Sequence, residues 1–311
     1  MKLAFIFPGQ GSQSQGMLKD LAEKYPEVLT YFKQASEVLG YDLWDVVQND
    51  ADKLSKTEVT QPALLTSSYA IYQVICKEYP HLKPSYMAGH SLGEYSALTC
   101  AGVIDFKDAV KLVQLRGKYM QEAMPVGGAM YAILGLDDQV IIDTCKKVQE
   151  ETGKVVAAVN FNSPGQVVIA GDEQAASQAA SLLKEQGAKR AVQLAVSVPS
   201  HCSLMQPAAD NMAEVLKTIE FKQDLTPVVH NTDLSISENK EEYVQALLKQ
   251  LTGPVLWTQS VEKLVNEYGV TNFIEVGPGK VLTGLQGRIT KSAPCQAVNT
   301  IESLENLKEL N

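Results

Sequence analysis

Short, wholly apolar runs alternate along this chain with longer stretches in which apolar residues return every three or four positions. That is the pattern of strands and helices in an α/β protein. Leu3 to Phe7 predicts a buried strand that runs into Pro8-Gly-Gln-Gly-Ser-Gln13. Helical spacing follows from about Leu18 to Leu39, and again from Pro62 to Glu78, where Leu64, Leu65, Ala70, Ile71, Val74 and Ile75 form the stripe. Tyr86 to Ala88 predicts a second strand. Helical spacing then resumes with Tyr95, Leu98 and Ala101 and stops at Gly102. A further helix, Phe106 to Met124, gathers Ala109, Leu112, Val113, Tyr119 and Met120 on one face.

From Gly127 the pattern becomes strand, helix, strand, strand, helix, strand: Ala129 to Leu134, Asp137 to Glu151, Val155 to Val159, Val167 to Ala170, Glu173 to Gln186 and Arg190 to Val196. The order βαββαβ is ferredoxin-like and predicts a small subdomain, residues 126–196, inserted into a large α/β domain made of 1–125 and 197–311. The large part resumes with a helix from about Leu204 to Thr218 and a strand, Thr226 to His230. Helices over Gln245 to Leu251 and Trp257 to Glu267, a strand, Asn272 to Val276, and a helix, Val281 to Ile289, complete it. The final twenty residues or so carry no recognisable motif.

Composition changes the picture mainly by exclusion. With 311 residues, 45% hydrophobic and 20% charged, the chain can bury a large core of soluble, globular type. A net charge of −9 argues against a nucleic-acid binder, which needs a clustered basic surface. No window approaches 18 consecutive apolar residues, and Leu3 to Phe7 is too short for a signal-peptide core, so no membrane association and a cytoplasmic location are expected. Five cysteines, with no C-x-x-C pair, indicate neither a disulfide framework nor a zinc site.

Chemistry concentrates where the second strand meets the next helix, at Gly89-His-Ser-Leu-Gly93. The pattern G-x-S-x-G in that position is a nucleophile elbow: a strained turn presents the serine Oγ above the sheet, and the first helical N–H groups can receive an oxyanion. The core is therefore expected to be α/β-hydrolase-like with a parallel sheet. The Gly9-Gln-Gly11 loop after the first strand could supply another N–H. A dinucleotide-binding reading of that loop lacks its third glycine, because Ser14 stands there. Serine needs a base, and imidazole has the suitable pKa. His81 reads as surface loop and His90 points away from its neighbour at an elbow. His201 and His230 both follow strand-like segments, and the pattern does not separate them. No acid stands out between Ser91 and His201, a departure from the Ser, acid, His order of α/β-hydrolases. Arg116 falls within an apolar stripe, which leaves open an internal ion pair or an anion site.

Phe7-Pro-Gly-Gln-Gly-Ser-Gln13, Gly89-His-Ser-Leu-Gly-Glu-Tyr-Ser-Ala97, Gln114-Leu-Arg-Gly-Lys118, Asn160-Phe-Asn-Ser-Pro-Gly-Gln166, Val198-Pro-Ser-His201 and Glu275-Val-Gly-Pro-Gly-Lys280 together resemble the malonyl-CoA:acyl carrier protein transacylases of dissociated bacterial fatty acid synthesis. The resemblance runs in register from about Leu3 to Ile289. It implies Ser91 as nucleophile, His201 as base, Gln250 as the residue whose backbone carbonyl orients the histidine, Leu92 and Gln10 as oxyanion-hole donors, and Arg116 as the ligand of the malonyl carboxylate. It also implies ping-pong acyl transfer with malonyl-CoA and holo acyl carrier protein as partners, without metal or cofactor. An acidic carrier would dock against local positive charge, for which Lys189, Arg190, Lys280, Arg288 and Lys291 are candidates. A serine thioesterase or esterase would share the elbow but has no use for an arginine in the acyl pocket. A non-catalytic docking module would need an inert serine. Polyketide acyltransferase chemistry is the same.

Overall fold

In the computed structural model, residues 1–196, 198–223 and 225–310 are described. Residues 197 and 311, the expected bounds of the second stretch of the large domain, lie outside them. Among the described residues nine strands form two sheets: β1 (Leu3–Phe7), β2 (Tyr86–Gly89), β3 (Gly128–Leu134), β4 (Val156–Ser163), β5 (Gln166–Asp172), β6 (Arg190–Gln193), β7 (Val228–Val229), β8 (Asn272–Val276) and β9 (Cys295–Val298). The first sheet has the order β7-β2-β1-β8-β9, and each neighbouring pair is parallel. Leu3, Phe5 and Phe7 enter one core cluster and Ala4 and Ile6 another. Both faces of β1 are thus covered by helices, which is why the strand is a continuous apolar run.

The second sheet is antiparallel with the order β4-β5-β3-β6, the ferredoxin-like arrangement. One face, including Ile133, Phe161, Val167 and Ile169, packs on the helices Asp138–Thr152 and Glu173–Glu185. The other face, Met130, Val159, Val168 and Ala170, packs on Cys202 and Leu204, immediately beyond His201. Edge strand β4 is also tied to the first sheet's side of the molecule. Phe161 N–H donates to Val255 C=O at 2.9 Å, and Val255 N–H donates to Val159 C=O at 2.8 Å.

Several elements differ from those read in the pattern. The helix expected over Leu18 to Leu39 is two, Lys19–Lys24 and Glu27–Leu39, because Pro26 biases Tyr25 away from helical backbone. The next long helix starts at Thr57, five residues before Pro62, a residue that reads more naturally as a first-turn position. Leu43–Asn49 is helical, with Asp42 accepting from Asp45 N–H as its cap. The sixth strand ends at Gln193 and the seventh is only Val228–Val229. The motif-free C-terminal stretch supplies β9, which closes the parallel sheet beside β8.

Candidate active site

The elbow is made by two glycines and paid for in backbone strain. A Cβ at Gly89 would overlap the backbone of Gly93, and one at Gly93 would overlap the carbonyl of Phe7, so only glycine lets the helix Leu92–Cys100 lie this close to β1 and β2. Between them Ser91 sits at φ 53° and ψ −112°, an unusual conformation for a side-chain-bearing residue. Its N–H donates to Asn231 Oδ1 at 2.8 Å, while Asn231 Nδ2 donates to Gly89 C=O at 2.6 Å. One side chain, Asn231, therefore pins the strained turn on the N-terminal side of the serine.

His201 and Ser91 meet. The serine Oγ lies 2.7 Å from His201 Nε2, and His201 Nδ1 lies 2.7 Å from the backbone carbonyl of Gln250. A carbonyl can only accept, so Nδ1 carries the proton and Nε2 offers its lone pair to the serine O–H. His201 is itself at φ 63° and is buried. Burial, and next the charge of Arg116, push its pKa down to about 3, against the opposing pull of the Gln250 carbonyl. The imidazole is accordingly neutral in the resting site.

His230 is placed elsewhere. Its Nδ1 faces Glu94 and its Nε2 faces Ser237 Oγ at 2.6 Å, all of them buried. Glu94 lies behind the elbow, one helical turn past the serine. His90 points away from Ser91, with Nε2 2.7 Å from Asn162 Oδ1 on β4. His81 is exposed, as the pattern suggested.

Arg116 is only 1% exposed and has no carboxylate partner among the described residues. Nη1 donates to Gln61 Oε1 at 2.9 Å, and Nη2 donates to Gln250 Oε1 at 2.9 Å and to Ser91 Oγ at 3.2 Å. Nε has no partner, and the ring of Tyr95 lies 5.2 Å from the guanidinium carbon. Burial lowers the guanidinium pKa, opposed by Tyr95 and Glu94, yet an arginine does not lose its charge in a protein. The side chain reaches this place because its helix, Phe106–Ala123, packs hard against the start of Thr57–Glu78: a Cβ at Gly117 would lie 2.6 Å from Thr57 O. A buried cation held only by neutral amides beside a serine hydroxyl keeps its charge without a counter-ion.

Leu92 N–H opens the elbow helix and has no acceptor among the described residues, and the same holds for Gln10 N–H. The loop bearing the exposed Gln10 is tied to the elbow by His90 N–H, which donates to Phe7 C=O at 3.0 Å. Glu275 does not enter the site. Its buried carboxylate accepts from Leu282 N–H, Thr283 N–H and Thr283 Oγ and so caps the helix Val281–Ile289. Of the five cations considered for docking, all are exposed, but Lys189 and Arg190 lie at β6, the opposite edge of its sheet from β4. Arg288 Nη1 donates to Gln166 Oε1 at 3.1 Å, at the hairpin that ends β4. No group of three or more metal-ligating side chains is found among the described residues, and no helix there is long and apolar enough to cross a membrane.

Gln61, Glu94 and Asn231 were not singled out by the sequence pattern. Their signal is polarity at positions where helical spacing or a strand end calls for an apolar residue, as it was for Arg116.

The model of the acyl transferase domain family matches residues 4–307. Over 310 residues the chain is 56% identical to the malonyl CoA-acyl carrier protein transacylase of Haemophilus influenzae, covering 99% of this chain and 98% of that protein. It is 53% identical to the Escherichia coli K12 protein of the same name over 311 residues, 99% of each. Among solved structures it superposes with TM-score 0.97 on a malonyl-transacylase in complex with its holo type II PKS acyl-carrier protein, at 54% identity and 100% coverage of both chains. An acyl carrier protein S-malonyltransferase of Vibrio cholerae gives TM-score 0.95 at 53% identity, covering 99% and 100%.

Proposed function

The chain belongs to the acyl transferase domain family, and from that premise we propose that Ser91, His201 and Arg116 carry out malonyl transfer at the elbow. The protein is an [acyl-carrier-protein] S-malonyltransferase: it moves a malonyl group from malonyl-CoA to acyl carrier protein by a ping-pong, serine-linked route. The observation that supports these residue roles best is that one oxygen, Ser91 Oγ, is shared by His201 Nε2 at 2.7 Å and Arg116 Nη2 at 3.2 Å. A nucleophile is thereby joined to a base and to a cation without a counter-ion.

In the first half-reaction the serine O–H gives its proton to His201 Nε2 as Oγ attacks the thioester carbon, and the oxyanion is received by the N–H groups of Leu92 and Gln10. The C–S bond breaks, and the leaving CoA sulfur takes the proton back from His201. In the second half the pantetheine thiol of the carrier gives its proton to His201, its sulfur attacks the malonyl ester, and Ser91 leaves with the proton. The carbonyl of Gln250 keeps Nδ1–H fixed through both halves. Arg116 receives the malonyl carboxylate, whose geometry matches the guanidinium fork. That pairing would also relieve part of the positive field that depresses His201, so the base gains strength as the right substrate binds.

We place the boundaries of the small domain at residues 126 and 196. Lys280 and Arg288, on the side of β4 and the Gln10 loop, are the favoured carrier-docking cations, with Lys291 beside them. Free cysteines at all five positions suit a reducing cytoplasm. Release of CoA from malonyl-CoA tests transferase against hydrolase. Without carrier protein it should stop near one equivalent per enzyme and become continuous when holo carrier is added. Steady release without an acceptor would identify a thioesterase.

A further inference from the structure

The Glu94 carboxylate makes no hydrogen bond with Ser91 Oγ, His201 or Arg116, yet it is fully buried and lies at the centre of the hydrogen bonds behind them. Its Oε2 accepts from Gln250 Nε2 at 2.7 Å and from Asn231 N–H at 3.2 Å, while Oε1 faces His230 Nδ1. Gln250 Nε2 also donates to Ser91 C=O at 2.9 Å and approaches Asn231 Oδ1 at 3.3 Å. Every group around that NH2 is an acceptor, since Asn231 Oδ1 is already fixed by the Ser91 N–H. The Gln250 amide can therefore take one orientation only, with Oε1 toward Arg116 Nη2 at 2.9 Å.

We infer that Glu94 is a positioning residue for substrate selection: through the side-chain amide of Gln250 it aims Arg116 at the acyl group without neutralising it. A carboxylate touching the guanidinium directly would fill the place of the substrate anion. One amide away, the carboxylate holds the donor's direction and leaves the cation unpaired. If the Gln250 amide turned over, its NH2 would oppose the guanidinium and the arginine would swing off the serine. The inference rests on the reading of Arg116 as the carboxylate ligand.

The experiment measures acylation of Ser91 in the full chain by intact mass at short times, with malonyl-CoA and with acetyl-CoA, and takes the ratio of the two rate constants. Damage to the fold lowers both alike and cancels. Glu94→Met and Gln250→Met should each lower the ratio by about 10-fold or more, because Arg116 loses its aim. Glu94→Gln, whose carbonyl can still accept from Gln250, should keep the ratio within about 3-fold of wild type. A ratio retained in Glu94→Met or in Gln250→Met overturns the proposal, as does a Glu94→Gln ratio as low as that of Glu94→Met. If Glu94→Met does not fold, Glu94→Ala replaces it in the same comparison with Glu94→Gln. Arg116→Ala serves as the control. If it too leaves the ratio unchanged, the reading of Arg116 fails; if it collapses the ratio while Gln250→Met does not, only the relay fails.

Discussion

The two sides of the elbow helix are built from the same residue types and finished differently. Behind it, Glu94, His230, Asn231 and Ser237 are buried and mutually satisfied, each polar group meeting a partner of the opposite kind. In front of it, Arg116 keeps an unpartnered Nε, Leu92 N–H has no acceptor among the described residues, and Ser91 Oγ is shared between His201 and Arg116. Two buried histidines show the contrast most plainly. His230 is held against a carboxylate, a partner suited to a lasting structural contact. His201 is held by a neutral carbonyl, which fixes its tautomer and adds no charge beside Ser91 and Arg116. A site is legible here as the face of a polar network on which satisfaction stops.

The contrast is broken most sharply at the histidines. His201→Ala should lose Ser91 acylation by a factor on the order of 10³, since an unassisted hydroxyl is largely inert. Stopped-flow or quenched mass measurements would check this against His230→Ala, and the reverse ranking would exchange the two faces.

At Arg116 the effect should fall on one substrate. Truncating one member of a buried charged pair costs about 2 to 5 kcal/mol, or roughly 30-fold to several thousand-fold in kcat/KM for malonyl-CoA. Acetyl-CoA never uses the contact, so Arg116→Ala should lose little or gain some acetyl transfer, and Arg116→Lys should restore malonyl transfer only in part. Equal losses for both acyl-CoAs, with circular dichroism unchanged, would reduce the arginine to a structural or CoA-binding element.

The pH profile comes next. A histidine at its ordinary pKa near 6.5 would lose about 25-fold of its neutral form between pH 7 and pH 5. With His201 pushed down to about 3 in the free enzyme, single-turnover acylation at subsaturating malonyl-CoA should fall less than about 2-fold over that interval. The same shift makes acid destabilising. Between pH 6.5 and 3 the unfolded chain binds a proton at this position that the native state refuses, so this residue's contribution to stability falls as pH falls through that window.

The smallest change in activity should come from the rear face. His230→Ala is expected to keep most of the acylation rate while losing about 3 kcal/mol of stability, because Glu94 is left buried without its partner. Urea unfolding beside the acylation assay separates the two effects.

The sequence made the elbow readable because its glycines and serine are demanded by local backbone geometry, visible within five consecutive residues. The strands β1 and β8 and the ferredoxin-like block were readable for the same reason, their apolar runs being set by burial on both faces or on one. His201 and His230 could not be told apart by pattern, since the difference lies in what faces each across the fold: Gln250 for one, Glu94 for the other. Gln61 and Asn231 were missed because an amide in a helix or at a strand end is ordinary until its partner is known. β9 escaped notice because four residues at a sheet edge carry little period of their own, and β8 supplies the reason they are a strand.

If Ser91 is the nucleophile, the malonyl group must be found on its Oγ between the two half-reactions. Intact mass spectrometry after brief incubation with malonyl-CoA, on wild type and Ser91→Ala side by side, tests it most directly. One malonyl adduct is expected in wild type, mapped to the peptide containing Ser91, and none in Ser91→Ala. An adduct that persists in Ser91→Ala, on Cys202 or any other residue, would contradict it.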